Sequence, residues 1–174
     1  HLEQTKVLAI THLDHQILLQ LEGFSESGLL LYLDHLSHSG LELMHTINVS
    51  ATHRQLCLTM SENEYDMFKQ LTDAWHESSS ETISEKLVKH KAKVSLVGHL
   101  LSRDLHVTCE LMRLCQKELI HVWHLQASDA SISVLVDSQR VELLMRALHK
   151  TFISDMRVLT TKDEVPMVTG ETAA

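Results

Sequence analysis

The sequence predicts an α+β fold built twice: two ferredoxin-like βαββαβ modules, each an antiparallel sheet with its helices on one face. Two observations predict it. The same order of strand and helix signatures runs through residues 16–75 and again through 91–152. Matched positions also recur 75 to 77 residues apart: Gly23 with Gly98, Ser61 with Ser138, Trp75 with Phe152.

In the first copy, Ile17, Leu19 and Leu21 alternate with Gln16, Leu18 and Gln20, the two-residue period of a strand ending at Gly23. A short loop, Phe24 to Gly28, follows. Leu29, Leu33 and Leu36, with Tyr32, recur at helical spacing, and Gly40 sits where a C-cap glycine belongs. Leu41, Leu43, His45 and Ile47 alternate as a second strand. After a polar turn over 50–54, Leu56, Leu58 and Met60 give a third. Ser61 is a good N-cap, and Glu64 completes a capping-box pattern. Tyr65, Phe68, Leu71 and Trp75 mark the apolar face of the second helix.

The second copy repeats the order. Val94 and Leu96 lead to Gly98, a loop spans 99–105, and Val107, Leu111 and Leu114 define a helix. Ile120, Val122 and His124 alternate, then Ile132, Val134 and Val136. Asp137 or Ser138 is expected to cap a last helix carrying Val141, Leu144, Leu148 and Phe152. Fourth strands are expected at 81–87 for the first copy and at 6–12 or 156–160 for the second. The polar stretch 77–85 places the boundary between modules spanning 7–80 and 81–160. Residues 161–174, polar and holding the only proline, read as a flexible tail.

Composition excludes several functions. The formal net charge is −8 with no cluster of Lys and Arg, which argues against a nucleic-acid partner. The longest apolar run, Leu29 to Leu33, is far too short to span a membrane, so no membrane partner is expected. No signal-peptide pattern opens the chain. Cys57, Cys109 and Cys115 form no paired framework and read as buried reduced thiols of a cytoplasmic protein. The first residue is His1, which reads as a fragment. Fourteen histidines invite a metal site, and His35 and His38 lie three apart on a helix, but His121 and His124 point to opposite faces of a strand and no Cys-x-x-Cys or His-Glu-x-x-His spacing appears, so no metal or other cofactor is expected. No nucleophile sits in an activating motif, so no catalytic residue is expected either.

The strand-to-helix turn is the better candidate. A glycine ending a strand allows close backbone approach, and the next helix start offers N–H groups and partial positive charge, a setting suited to a carboxylate. In the first copy the donors would be the backbone of Ser27, Gly28 and Leu29. Glu26 could hold an ammonium group, and Asn48 offers both donor and acceptor. The alternative is that Gly23, Gly28 and Asn48 simply make turns.

Several stretches resemble the tandem ACT regulatory region of aspartate kinases: Ala92–Gly98 (AKVSLVG), Ser131–Asp137 (SISVLVD), Arg146–Phe152 (RALHKTF), Asn48–Ser50 (NVS) and the turn Asp14–Gln16. The resemblance covers about residues 7–153. It implies an allosteric domain of lysine, threonine and methionine biosynthesis that binds an end-product amino acid, lysine or threonine. It implies no enzyme activity for this part alone, whose partners would be the parent kinase domain and a second copy in a homodimer. The effector residues implied are Ser25, Glu26, Ser27, Gly28 and Leu29 with Asn48, and Ser128–Asp129 in the second module. The chain lacks the kinase motif Lys-Phe-Gly-Gly and the Pro-Gly common before the helix; the second module has Leu105-His106 there. The alternative function is an assembly ACT domain that has lost effector binding.

Overall fold

A computed structural model describes residues 7–153. The described chain forms two compact units. The first holds residues 12–93 and 135–138; the second holds 7–11, 94–134 and 139–153. The chain changes unit within three strands, β1 (Val7–Glu22), β4 (Ser84–Gly98) and β6 (Ser131–Asp137), and again after Ser138.

The first unit adds α1 (Glu26–Ser37), β2 (Met44–Val49), β3 (Arg54–Ser61) and α2 (Glu62–Ser78). Its strand order is β2-β3-β1-β4, the order of a split βαβ module. The antiparallel β1–β3 register sets Ile17 opposite Met60, Leu19 opposite Leu58 and Leu21 opposite Leu56. Side chains two residues apart share a sheet face, so these six make one apolar surface. Leu29, Tyr32 and Leu36 of α1 and Phe68 and Trp75 of α2 close over it in a single core. The opposite face is also buried at Leu18 and Cys57. The Tyr32 hydroxyl and Thr72 Oγ1 share a hydrogen bond of 2.8 Å inside this core. Burial raises the Tyr32 phenol well above its usual pKa, so it stays neutral.

The second unit contains α3 (Leu105–Lys117), β5 (His124–Ala127), β6 (Ser131–Asp137, as far as Val134) and α4 (Val141–Leu148). Its strand order, β1-β4-β6-β5, has the same form. The outer strand position is filled by residues 7–11 of β1. The other stretch considered for this role, 156–160, lies outside the described residues, as does the tail 161–174.

Local details differ from the sequence expectations for identifiable reasons. The C-cap of α1 is His38, ahead of Gly40, which takes φ +72 in the following turn. Ser61 caps α2, but Glu64 does not return to it; its carboxylate accepts the Glu42 N–H at 3.1 Å. The strand expected over 120–124 starts only at His124. The α3 C-terminus consumes the preceding residues: Leu119 turns left-handed at φ 55 and Ile120 N–H reaches back to Cys115 O at 2.8 Å. Neither Asp137 nor Ser138 caps α4. Asp137 Oδ1 instead accepts the buried Lys91 Nζ at 2.6 Å, and a 3-10 turn over 138–140 leads into the helix. Cys57 and Cys115 are buried as free thiols, whereas Cys109 is exposed.

Leu58 is 1 % exposed at the centre of the first core. Leu58→Ala is expected to lower stability by about 2–5 kcal/mol in urea unfolding, the cost of a cavity that surrounding atoms only partly fill. Val49→Ser, on the exposed edge strand, should change it by about 0.5 kcal/mol or less.

Candidate effector site at the β1–α1 turn

The turn from β1 into α1 is built by two glycines and a serine. Gly23 takes φ +98, a left-handed conformation that side chains disfavour. Ser25 is the N-cap of α1; its Oγ accepts the Gly28 N–H at 3.0 Å, and its carbonyl accepts the Leu29 N–H at 3.0 Å. Ser27 Oγ lies 3.4 Å from Ser25 Oγ. Glu26 sits in the first helical turn, exposed. Five expected site residues, Ser25 to Leu29, therefore share this one turn.

The turn holds a carboxylate, and it is the chain's own. Glu81, in the loop between α2 and β4, takes the Ser25 N–H at 3.1 Å on one oxygen and the Ser25 hydroxyl on the other. These bonds hold its carboxyl below the usual range. Both glycines make room for this segment. A Cβ on Gly28 would overlap Glu81 Oε1, and a Cβ on Gly23 would lie 2.8 Å from the Thr82 carbonyl oxygen. Close backbone approach at these glycines thus serves residues 81–82.

Beside the turn lies a cleft of about 620 Å3 between α1 and the end of α2. Ser27, Gly28 and Leu31 border it on one side and Trp75, Ser80 and Glu81 on the other. His35, also on its wall, shares a hydrogen bond of 2.9 Å with the Leu71 carbonyl. The 77–85 stretch, which composition marks only as a polar boundary, thus supplies a wall and the carboxylate of the site. Nothing in the sequence distinguishes Glu81 from its acidic neighbours Glu77 and Glu85.

Asn48 stands elsewhere. It pairs with Gln55 across β2 and β3, and Gln55 pairs in turn with Glu22 on β1. Asn48 Nδ2 donates to Gln55 Oε1 at 3.4 Å, and Gln55 Nε2 to Glu22 Oε1 at 2.8 Å. Two strand spacings separate Asn48 from Glu22, roughly 10 Å.

In the second unit, Asp129 fastens the loop ahead of α3. Its carboxylate accepts the Ser102 hydroxyl and lies 3.5 Å from Arg103, while its carbonyl accepts the Leu101 N–H at 3.0 Å. Ser128 Oγ closes the β5–β6 turn by accepting the Ser131 N–H at 3.2 Å. The α3 N-cap is Asp104, which accepts the His106 N–H at 2.9 Å. Among the described residues, no group of three or more His, Cys, Asp or Glu is arranged to hold a metal ion. No described helix is long and apolar enough to cross a membrane, which leaves β-barrels unaddressed.

No family model matches the chain. The aspartate kinase of Pseudomonas fluorescens (strain SBW25) is 28 % identical over 99 residues, which are 56 % of this chain and 23 % of that protein. The chain thus spans about a quarter of that relative's length. The ligand-free regulatory subunit of Thermus thermophilus aspartate kinase superposes with a TM-score of 0.72 at 18 % identity, over 84 % of this chain and 99 % of that one. Escherichia coli aspartokinase III in complex with lysine and aspartate gives 0.60 at 19 % identity, over 88 % of this chain and 34 % of that one. The fold is therefore that of two paired ACT-type modules, as in these aspartokinase structures. Within that class, the chain resembles the regulatory region of aspartate kinases.

Protonating Glu81 removes its charge and weakens both Ser25 contacts. Because its folded pKa lies below the ordinary carboxylate value, the stability it contributes is present above about pH 4.5 and is lost as pH falls through the folded value. The stability difference between wild type and Glu81→Gln, measured by urea unfolding, should therefore shrink as pH falls below about 4.5. A difference independent of pH would contradict the contact.

Proposed function

We propose that the chain is the allosteric, amino-acid-binding region of an aspartate kinase in lysine, threonine and methionine biosynthesis. The observation that carries this reading is the β1–α1 turn: its N-cap N–H and hydroxyl already donate to a carboxylate, the group every free amino acid presents. Glu26, exposed one residue away, suits the ammonium group. The adjacent cleft has the volume of a small-molecule site and could receive the side chain. The likeness to an aspartokinase solved with lysine makes lysine the first effector to test, with threonine second. We place the pocket in the first unit, around Ser25 to Leu29. Asn48 and the second unit's Ser128–Asp129 take part only if effector binding rearranges or pairs the modules.

Each compact unit would act as one ACT module, close to but not bounded by the limits 7–80 and 81–160. Regulation follows from differential affinity: an effector that binds one arrangement of paired modules more tightly shifts the equilibrium toward it. Pairing would use β2, the edge strand of the first unit, which exposes Met44 and Val49. A parent kinase domain would read out the shift. The two buried reduced thiols suit a cytoplasmic setting.

The occupied turn also favours a second reading, an assembly domain in which Glu81 has permanently replaced the effector. Isothermal titration with lysine, threonine and methionine separates the two, with light scattering run on the same samples. The first reading predicts saturable heat with at least one of them at millimolar concentration or below. A dimer giving no heat with any would establish the second, and a silent monomer would sink both.

A further inference from the structure

We propose that Glu81 is a tethered competitor of the effector: its carboxylate occupies Ser25 at the start of α1 and must leave before a free amino acid can bind there. This rests on the reading of the turn as the effector site and adds its regulation. Three observations converge on it.

The first is the contact itself. Both Glu81 oxygens are used, one by the Ser25 N–H and one by the Ser25 hydroxyl. That is the fork an incoming α-carboxylate would need. Two carboxylates cannot share it, because like charges this close oppose each other's ionisation.

The second is steric. Gly28 has no Cβ, and the space a Cβ would take is filled by Glu81 Oε1. The room at the helix start is thus already spent on an internal group.

The third is the cleft. It runs from Ser27 and Gly28 to Trp75 and Ser80, with Glu81 on its border. Withdrawing one side chain would join the cleft to the Ser25 donors. Glu81 lies in the short loop 79–83 between α2 and β4, and Thr82 and Ser80 are exposed. The side chain can therefore swing out without moving a core residue, although the loop keeps it near Ser25. A short tether corresponds to an effective concentration in the millimolar range. If the closed contact is favoured about tenfold over the open one, the apparent affinity of an effector falls about tenfold. The site would then answer only to high effector levels.

The test uses the 174-residue chain, 15N-labelled, as wild type, Glu81→Ala and Glu81→Gln, with sodium acetate as a bare carboxylate probe against matched sodium chloride. The Ser25 and Gly28 amide resonances are followed. In Glu81→Ala, acetate should shift them saturably, with an apparent Kd about tenfold lower than in wild type. Glu81→Gln, which keeps the side-chain length without the charge, should fall between and carries the comparison if Glu81→Ala does not fold. Equal responses in wild type and variants would overturn the proposal, as would no saturable response in a folded variant.

Lysine titrations on the same proteins separate this proposal from the effector reading. Acetate competition without heat from lysine, threonine or methionine in any of the proteins would remove effector sensing and leave the Glu81 contact as described. Effector heat with equal affinity in wild type and Glu81→Ala would keep the sensing and overturn the competition.

Discussion

The β1–α1 turn depends on one interaction, the seat that Ser25 gives to the Glu81 carboxylate. The N-terminus of a helix leaves backbone N–H groups without helical partners and carries partial positive charge. Ser25 resolves this in two directions. It accepts from Gly28 within the helix and donates through its N–H and hydroxyl to Glu81 outside it. The loop that carries Glu81 is thereby tied to the start of α1, and Thr82 is brought against Gly23. The two glycines, the N-cap and the loop after α2 act as one fastening.

That fastening sits on a rigid base. The β1–β3 register puts Ile17, Leu19 and Leu21 beneath both helices, and Trp75 lies 4.9 Å from Tyr32 in an edge-to-face ring contact. Trp75 also lines the cleft. Core packing therefore fixes the floor of the candidate pocket, while its rim is an exposed serine-rich loop. In the second unit, Asp129 holds the loop before α3 through Ser102 and Arg103. Each unit thus secures the loop preceding its first helix with an internal carboxylate.

Much of the fold was legible because periodicity reports burial. The parity of Ile17, Leu19 and Leu21 and the helical spacing of Tyr65, Phe68 and Trp75 follow from which side chains face the core. The duplicated order of elements survives in three dimensions as two units with equivalent strand orders. Capping was less legible. Ser61 was readable as an N-cap, but Glu64 and Asp137 found tertiary partners, Glu42 and Lys91, which local sequence does not reveal. The passage of β1, β4 and β6 between the units was likewise hidden, since an extended strand carries no mark of which unit it joins. Of the site, the turn itself could be read from Gly23, Ser25 and Gly28. Its occupant could not, because Glu81 is brought there by a contact spanning 56 residues.

The central claim is that the donors at the start of α1 are engaged by Glu81. It is tested most directly by following the Glu81 side-chain carboxyl carbon and the Ser25 amide proton together in an NMR pH titration. The two signals are predicted to move with one shared midpoint, below that of the exposed carboxylates. A Glu81 midpoint at the ordinary value, with a Ser25 amide that ignores it, would contradict the account.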